Sequence, residues 1–231
     1  MALLAGGDMR LLGLMPNASN YTFLAEVAGD GHAMFVVYKP VAGEIPLWDF
    51  PDGTLAGREV AAFLLASSLG WPNVPPTILR DGPHGVGSAQ VFVDADFAQH
   101  YFTLRETRLE EFRTVAAFDV IANNADRKGG ACLVGADDRS IWSIDHGVCF
   151  NVVPKLRTVI WEFAGDRVPA TLLADARRVV GELRSGPLRE ALLPLLTADE
   201  VDVTAKRAER LASQGCYPKP GSERSYPWPP V

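Results

Sequence analysis

An α+β protein built in two lobes is what this sequence predicts, and three features carry the prediction. Residues 9–93 read as short strands around one helix, with turn-forming residues between them. From residue 106 onward, apolar residues recur mainly at helical spacing. Between the two regimes lies 118–150, FDVIANNADRKGGACLVGADDRSIWSIDHGVCF, where the polar clusters NNADRKGG and IDHG interrupt apolar runs. A β-rich half followed by a helical half, with polar loops between them, is an α+β plan.

The first lobe, expected over residues 1–88, opens with a three-strand meander over 9–40. Leu11–Met15 is the first strand, Pro16–Asn20 its turn and Tyr21–Val27 the second strand. Gly29-Asp30-Gly31 turns the chain into a third strand, Ala33–Tyr38, which ends in Lys39-Pro40. A lysine ending a buried strand needs a partner once it is desolvated. Thr54 is placed to cap a helix over Leu55–Leu69, whose Val60, Ala61, Phe63, Leu64 and Leu65 form an apolar face and which Gly70 ends. Glu59 lies early in that helix. Pro72, Pro75 and Pro76 mark a connector to strand Thr77–Leu79, and a glycine-rich turn over 82–87 leads into strand Ser88–Val93.

The second lobe, expected over 89–231, begins with a helix over Glu106–Asn123. A hairpin follows, Cys132–Val134 and Ile141–Ile144 around a polar turn at 135–140. Helices are expected at Ala170–Arg184, Pro187–Leu196 and Ala198–Ser213. The end, Cys216–Val231, carries Pro218, Pro220, Pro227, Pro229 and Pro230 and reads as an extended arm. Tyr226 and Trp228 are expected to pack part of it back on the body.

Composition excludes several classes. The 231 residues are 48% hydrophobic and 22% charged, an ordinary globular mixture. A net charge of −6, with a pI near 5.2, argues against nucleic-acid binding and against a polybasic membrane surface. No apolar run approaches the roughly 20 residues of a bilayer span, so no stable membrane anchor is expected. MALLAGGDMR lacks the basic and apolar regions of an export signal. Three cysteines without C-x-x-C spacing, and four histidines with none paired at i and i+4, argue against zinc and suit free thiols in a cytoplasmic protein.

A hairpin returns the chain to where it began. Asp126, on the loop before it, and Asp145, at its far end, should therefore face one another. Two carboxylates brought together at strand ends suit a divalent cation and a phosphate better than they suit packing. N-x-D-R, followed by I-D-H-G with Asp145 nineteen residues beyond Asp126, resembles the catalytic and metal-binding loops of the phosphatidylinositol 3-/4-kinase superfamily. It is similar also to the related HipA-type and secretory-pathway kinases. More narrowly, the whole chain resembles a family of small actinobacterial proteins described as PI3/PI4-kinase-like.

That resemblance implies a bilobal protein-kinase-like fold and transfer of the γ-phosphoryl group of ATP to a hydroxyl, with Mg²⁺ or Mn²⁺. By resemblance Asp126 orients the acceptor hydroxyl and Asp145 holds the metal, while Lys128 could neutralise charge on the transferring group. Lys39 would meet the phosphates and Glu59 would hold Lys39; a surface lysine and a solvated glutamate are the plain alternative. The Pro16–Asn20 turn is not glycine-rich, but Ser19, Asn20 and its backbone N–H groups could cradle an anion, or it is only a hairpin turn. Gln90, Phe92 and Val93 stand where a hinge segment would present backbone groups to adenine.

The motif also departs from the family. A second metal ligand, usually Asn, falls five residues after the catalytic Asp, where this chain has Ala131. Asn124 is the substitute considered. Lys128-Gly129-Gly130 has no counterpart in the usual pattern. His146 is either a base or a residue packed behind the metal loop. Trp161 and Phe163 either line an acceptor pocket or belong to the core. A protein side chain or small polyol is ranked above an inositol lipid as acceptor. Two other readings stay open: a nucleotide-binding pseudokinase with a regulatory role, and a scaffold whose proline-rich tail binds a protein partner.

Overall fold

The computed structural model describes residues 1–16, 20–221 and 224–231. A five-stranded antiparallel sheet forms one lobe: β1 (Asp8–Leu14), β2 (Phe23–Gly29), β3 (His32–Pro40), β4 (Thr77–Gly82) and β5 (Gly85–Val91), in the order β1-β2-β3-β5-β4. A short helix that the sequence did not announce, α1 (Ala2–Gly6), lays Leu4 on one face of the sheet. There it meets the fully buried Ala25, Val27, Val36, Tyr38 and Ala89. The expected glycine-rich turn shrinks to Pro83-His84, because Gly82 and Gly85 pair across the hairpin. The expected lobe boundary at 88/89 falls inside β5.

Strand periodicity decides where Lys39 points. Successive side chains on a strand alternate faces. Val36 and Tyr38 enter the sheet's own core, so Val37 and Lys39 leave by the other face. Register adds to that face, because Leu24 stands opposite Val37, and Val37 opposite Gln90.

Helix α2 (Leu55–Leu69) crosses between the lobes. Thr54 is its first flanking residue but does not cap it with its side chain. The Glu44 carboxylate does so instead, accepting the Leu55 and Ala56 N–H groups at 3.2 and 2.8 Å. An acid at a helix N-terminus satisfies orphan donors and faces the positive end of the helix dipole. Gly70 closes the helix at φ 84°, as expected. Ala61, Ala62, Leu65, Ala66 and Leu69 join the large core of the helical lobe.

That lobe holds α3 (Tyr101–Arg108), α4 (Arg113–Ala122), the hairpin β6 (Cys132–Val134) and β7 (Ile141–Ser143), α5 (Ala170–Ser185), α6 (Pro187–Leu192) and α7 (Ala198–Gln214). The single helix expected over 106–123 is broken by a tight turn at Leu109–Phe112. Phe112 is drawn into the core, edge-on to Tyr101 at 5.0 Å. Arg108–Glu111 and Arg113–Glu110 pairs brace the turn. Helix α6 stops four residues short of expectation. Helix α7 opens with a capping box in which Thr197 and Glu200 each accept the other's N–H. The second oxygen of Glu200 takes the buried Arg58 of α2 at 2.5 Å, which binds α2 to the helical lobe. Among the described residues no helix is long and apolar enough to cross a membrane.

Candidate active site

Lys39 is the point where the lobes meet. Its Nζ lies 2.6 Å from Glu59 Oε1 of α2 and 2.7 Å from Asp145 Oδ1, just beyond β7. The other oxygen of the buried Glu59 accepts the His146 N–H at 2.9 Å. One carboxylate thus fixes both the lysine and the backbone that carries Asp145. Burial works against the Lys39 ammonium, but the charges of Asp145 and Glu59 outweigh it and hold its pKa well above the usual lysine value. The same ammonium holds the Asp145 carboxyl below the usual range. Asp145 sits at φ 57°, a conformation costly for most non-glycine residues, with its side chain turned outward and 59% exposed.

Asp126 approaches from the loop after α4. Asn123 ends that helix at φ 53° and turns the chain out of it. Asp126 feels the charge of Asp145, and burial is the main cause that raises its pKa. Lys128 Nζ stands 3.5 Å from its Oδ2. The hairpin therefore brings Asp126, Lys128, Asp145 and Lys39 into one cleft. Asp126 and Asp145 offer hard oxygen donors without histidine or thiol. That set suits Mg²⁺ or Mn²⁺, which takes one or two carboxylates and fills its remaining positions with water and phosphate oxygens. Among the described residues no three His, Cys, Asp or Glu side chains form a cluster able to hold an ion.

Other expected residues are used differently. Asn124 is wholly buried; its Nδ2–H donates to Asp119 Oδ1 at 3.0 Å and its Oδ1 accepts the Asp126 N–H at 2.9 Å. Both of its amide atoms are thus engaged in shaping the loop. Gln90 is buried, with its amide nitrogen donating to Thr77 Oγ1 at 2.9 Å, so its side chain serves the sheet. The Phe92 N–H is taken by the Phe35 carbonyl at 2.9 Å. Val93 makes no main-chain hydrogen bond among the described residues. Ser19 lies outside the described residues. Asn20 turns its Oδ1 to the Ile45 N–H at 2.8 Å, tying the end of its turn to the β3–α2 loop. A cavity of about 310 Å³ under that loop is lined by residues between Val41 and Leu55 and by none of the cleft residues.

The sequence reading missed a second set. Asp119 and Arg127 are both fully buried and joined at 2.9 Å; Arg127 also donates to the Ile144 carbonyl at 2.8 Å and meets His146 Nε2 at 2.8 Å. His146 is therefore packed behind the loop and kept from protonation by burial and by the Arg127 charge. Asn123 binds the carbonyls of Asn151 and Val153 and the N–H of Lys155, fixing the segment after the Asp145 loop. An arginine within the motif, with an aspartate one helical turn before the motif begins, was the signal available. Phe163 is core, stacked on by Arg113. Ala131 is buried and offers no ligand.

Protein Rv2133c of Mycobacterium tuberculosis is 40% identical to this chain, over 99% of the chain and 94% of that protein. Phosphatidylinositol 4-kinase gamma 4 of Oryza sativa subsp. japonica is 30% identical over 55% of the chain, a match that spans 28% of the rice protein. The crystal structure of the Golgi casein kinase superposes with a TM-score of 0.52 at 15% identity, over 91% of this chain and 73% of that one. No protein-family model matches. The architecture is protein-kinase-like, with a small antiparallel-sheet lobe and a mainly helical lobe.

Proposed function

The chain belongs to the family of Mycobacterium tuberculosis protein Rv2133c, and we propose that it is an ATP-dependent phosphotransferase acting on a hydroxyl. The observation that carries this reading is Lys39 held between Glu59 and Asp145 at 2.6 and 2.7 Å, with Asp126 within reach of the Asp145 charge. Lys39 meets the nucleotide phosphates, and Glu59 keeps it extended. Leu24 and Val37, opposite each other on the Lys39 face, give the adenine an apolar ceiling, and the open main-chain groups of Val93 meet its edge. Asp145 would hold the divalent ion, which would neutralise phosphate charge when bound. Asp126 accepts the hydrogen bond of the acceptor hydroxyl and sets it in line. Lys128 offsets charge on the transferring group. Phosphoryl transfer asks mainly for positioning and charge, and the cleft is built for both.

The rice relative is named as a lipid kinase. For this chain a protein side chain or small polyol is the better acceptor. Its net charge is −6, and Lys155, one of three cations in residues 151–168, is spent on Asp49 at 2.9 Å. The test is thermal unfolding with Mg²⁺ or Mn²⁺ and ATP, wild type beside Asp145→Asn, since Asn tolerates the left-handed backbone. Nucleotide at 100 times its Kd adds about 2.7 kcal/mol, a rise of roughly 5–11 °C for a chain this long. The wild type should show that rise and the variant should lose it. A rise of equal size in both would remove Asp145 from the site.

A second reading has its own support. With Ala131 buried and Asn124 committed to its loop, no second ligand stands five residues after Asp126. A nucleotide-binding module without turnover would fit that. Phosphate release that falls about 100-fold or more in Asp126→Ala, with the nucleotide shift kept, favours the enzyme; a shift with no turnover in either protein favours the module.

A further inference from the structure

The proline-rich arm does not hang free. The Ser225 carbonyl accepts the Thr158 N–H at 3.1 Å and the Trp161 indole N–H at 3.1 Å. Tyr226 meets the Trp161 ring edge-on at 6.5 Å, and Pro227 is buried. The Pro230 carbonyl accepts the Gly129 N–H at 2.8 Å. Trp228, expected to pack, is instead 77% exposed.

These anchors sit on the two segments that frame Asp126. Gly129 follows Lys128 directly. Residues 157–159 run beside the catalytic loop, with Arg157 N–H donating to the Asn124 carbonyl, Arg127 N–H to Arg157 and Val159 N–H to Arg127, at 2.9–3.1 Å. The arm thus straddles the loop, one end on the Thr158–Trp161 segment and the other on Gly129. Glycine at 129 is required by the body, since a Cβ there would stand 2.7 Å from the Phe102 ring; at 3.5 Å the Pro230 oxygen lies in ordinary contact.

We infer that the surface formed by Gly129, Thr158 and Trp161 is a binding groove for an extended polypeptide, and that residues 225–231 occupy it in cis. The contacts support that class of ligand. Two main-chain N–H groups and one indole N–H all donate to main-chain carbonyls, and an aromatic face receives an aromatic side chain. Such a surface recognises an extended backbone whatever its charge. The inference rests on the phosphotransfer reading for its purpose: the acceptor is a hydroxyl side chain on an extended protein segment, and the arm must leave before that segment binds.

The test measures binding, so it does not depend on turnover. A fluorescent peptide of residues 224–231 is titrated into the full chain and into a chain ending at Gly221, each checked for fold by circular dichroism and for the nucleotide shift described above. A tethered arm competes at an effective concentration near millimolar, so the shortened chain should bind the peptide roughly 10-fold or more tightly than the full chain does. A folded shortened chain that binds no better overturns the inference, as does one that ignores the peptide and associates with anionic vesicles. If shortening prevents folding, Tyr226→Gly with Pro227→Gly in the full chain replaces it. Hydrogen exchange at the Gly129 and Thr158 amides should then quicken about 10-fold or more; unchanged exchange at both overturns the inference. Loss of the nucleotide shift with peptide binding intact would count against the phosphotransfer reading and leave the groove standing.

Discussion

Arg127 and Lys39 each hold an aspartate, at 2.9 and 2.7 Å, in opposite surroundings. Arg127 and Asp119 are both 0% exposed, whereas the Asp145 side chain is 59% exposed. The buried pair is also completed by neighbours: Asn124, the Ala131 and Ile144 carbonyls and His146 bond to its other donors and acceptors. The cleft pair is left more open, with the Asp145 side chain in contact with solvent. Charges that are desolvated and fully bonded hold a loop in one shape. Charges that stay half solvated can exchange partners, which a cation and phosphates require. The interior network therefore builds the loop on which the cleft residues are presented.

Breaking the interior pair should have the largest effect. Arg127→Met leaves Asp119 buried without its counter-charge, which costs about 3–5 kcal/mol. The unfolding midpoint should fall by roughly 6–20 °C, as read by thermal or urea unfolding. A loss below about 1 kcal/mol would show that the two pairs differ less than their burial implies.

His146 gives a pH test of the same contrast. Its folded pKa lies well below the usual histidine value because burial and Arg127 disfavour the cation. Below a pH of about 6.5 the unfolded chain takes up a proton that the folded chain refuses. Stability should thus drop as pH falls through that point, by at most about 1.4 kcal/mol per pH unit from this residue. His146→Gln should flatten the slope in urea titrations between pH 5 and 7. Asp145 acts lower: its depressed pKa adds stability above about pH 4 that is lost as pH falls through the folded value.

The smallest effect is expected in the cleft itself. Without nucleotide, Asp145→Asn should change stability by no more than about 1 kcal/mol, since Asp145 is the exposed member of the pair and Lys39 keeps Glu59. Urea unfolding of the ligand-free variant measures this. A loss approaching that of Arg127→Met would mean that Asp145 supports the fold and is not reserved for ligands.

The sequence by itself determined the order of the strands and of most helices, the hairpin that brings Asp126 toward Asp145, and the lysine at the end of the third strand. All of these follow from local periodicity and turn chemistry, which neighbouring residues set among themselves. Only the tertiary structure decided the rest. Glu59 could be read as a partner for Lys39 by chain order, but not as the acceptor of the His146 N–H, 87 residues away. That Asn124 is enclosed, with both amide atoms bonded, is not written in its neighbours. Asp119 and Arg127 looked like ordinary polar residues, since only packing shows that both are enclosed. The helix break at Leu109–Phe112 came from Phe112 being drawn to Tyr101 in the core, against a helical periodicity that ran through it. The arm's return to Gly129 depends on a backbone hydrogen bond spanning 101 residues. Such a contact depends on how the body is arranged in space, so no local pattern in the chain announces it.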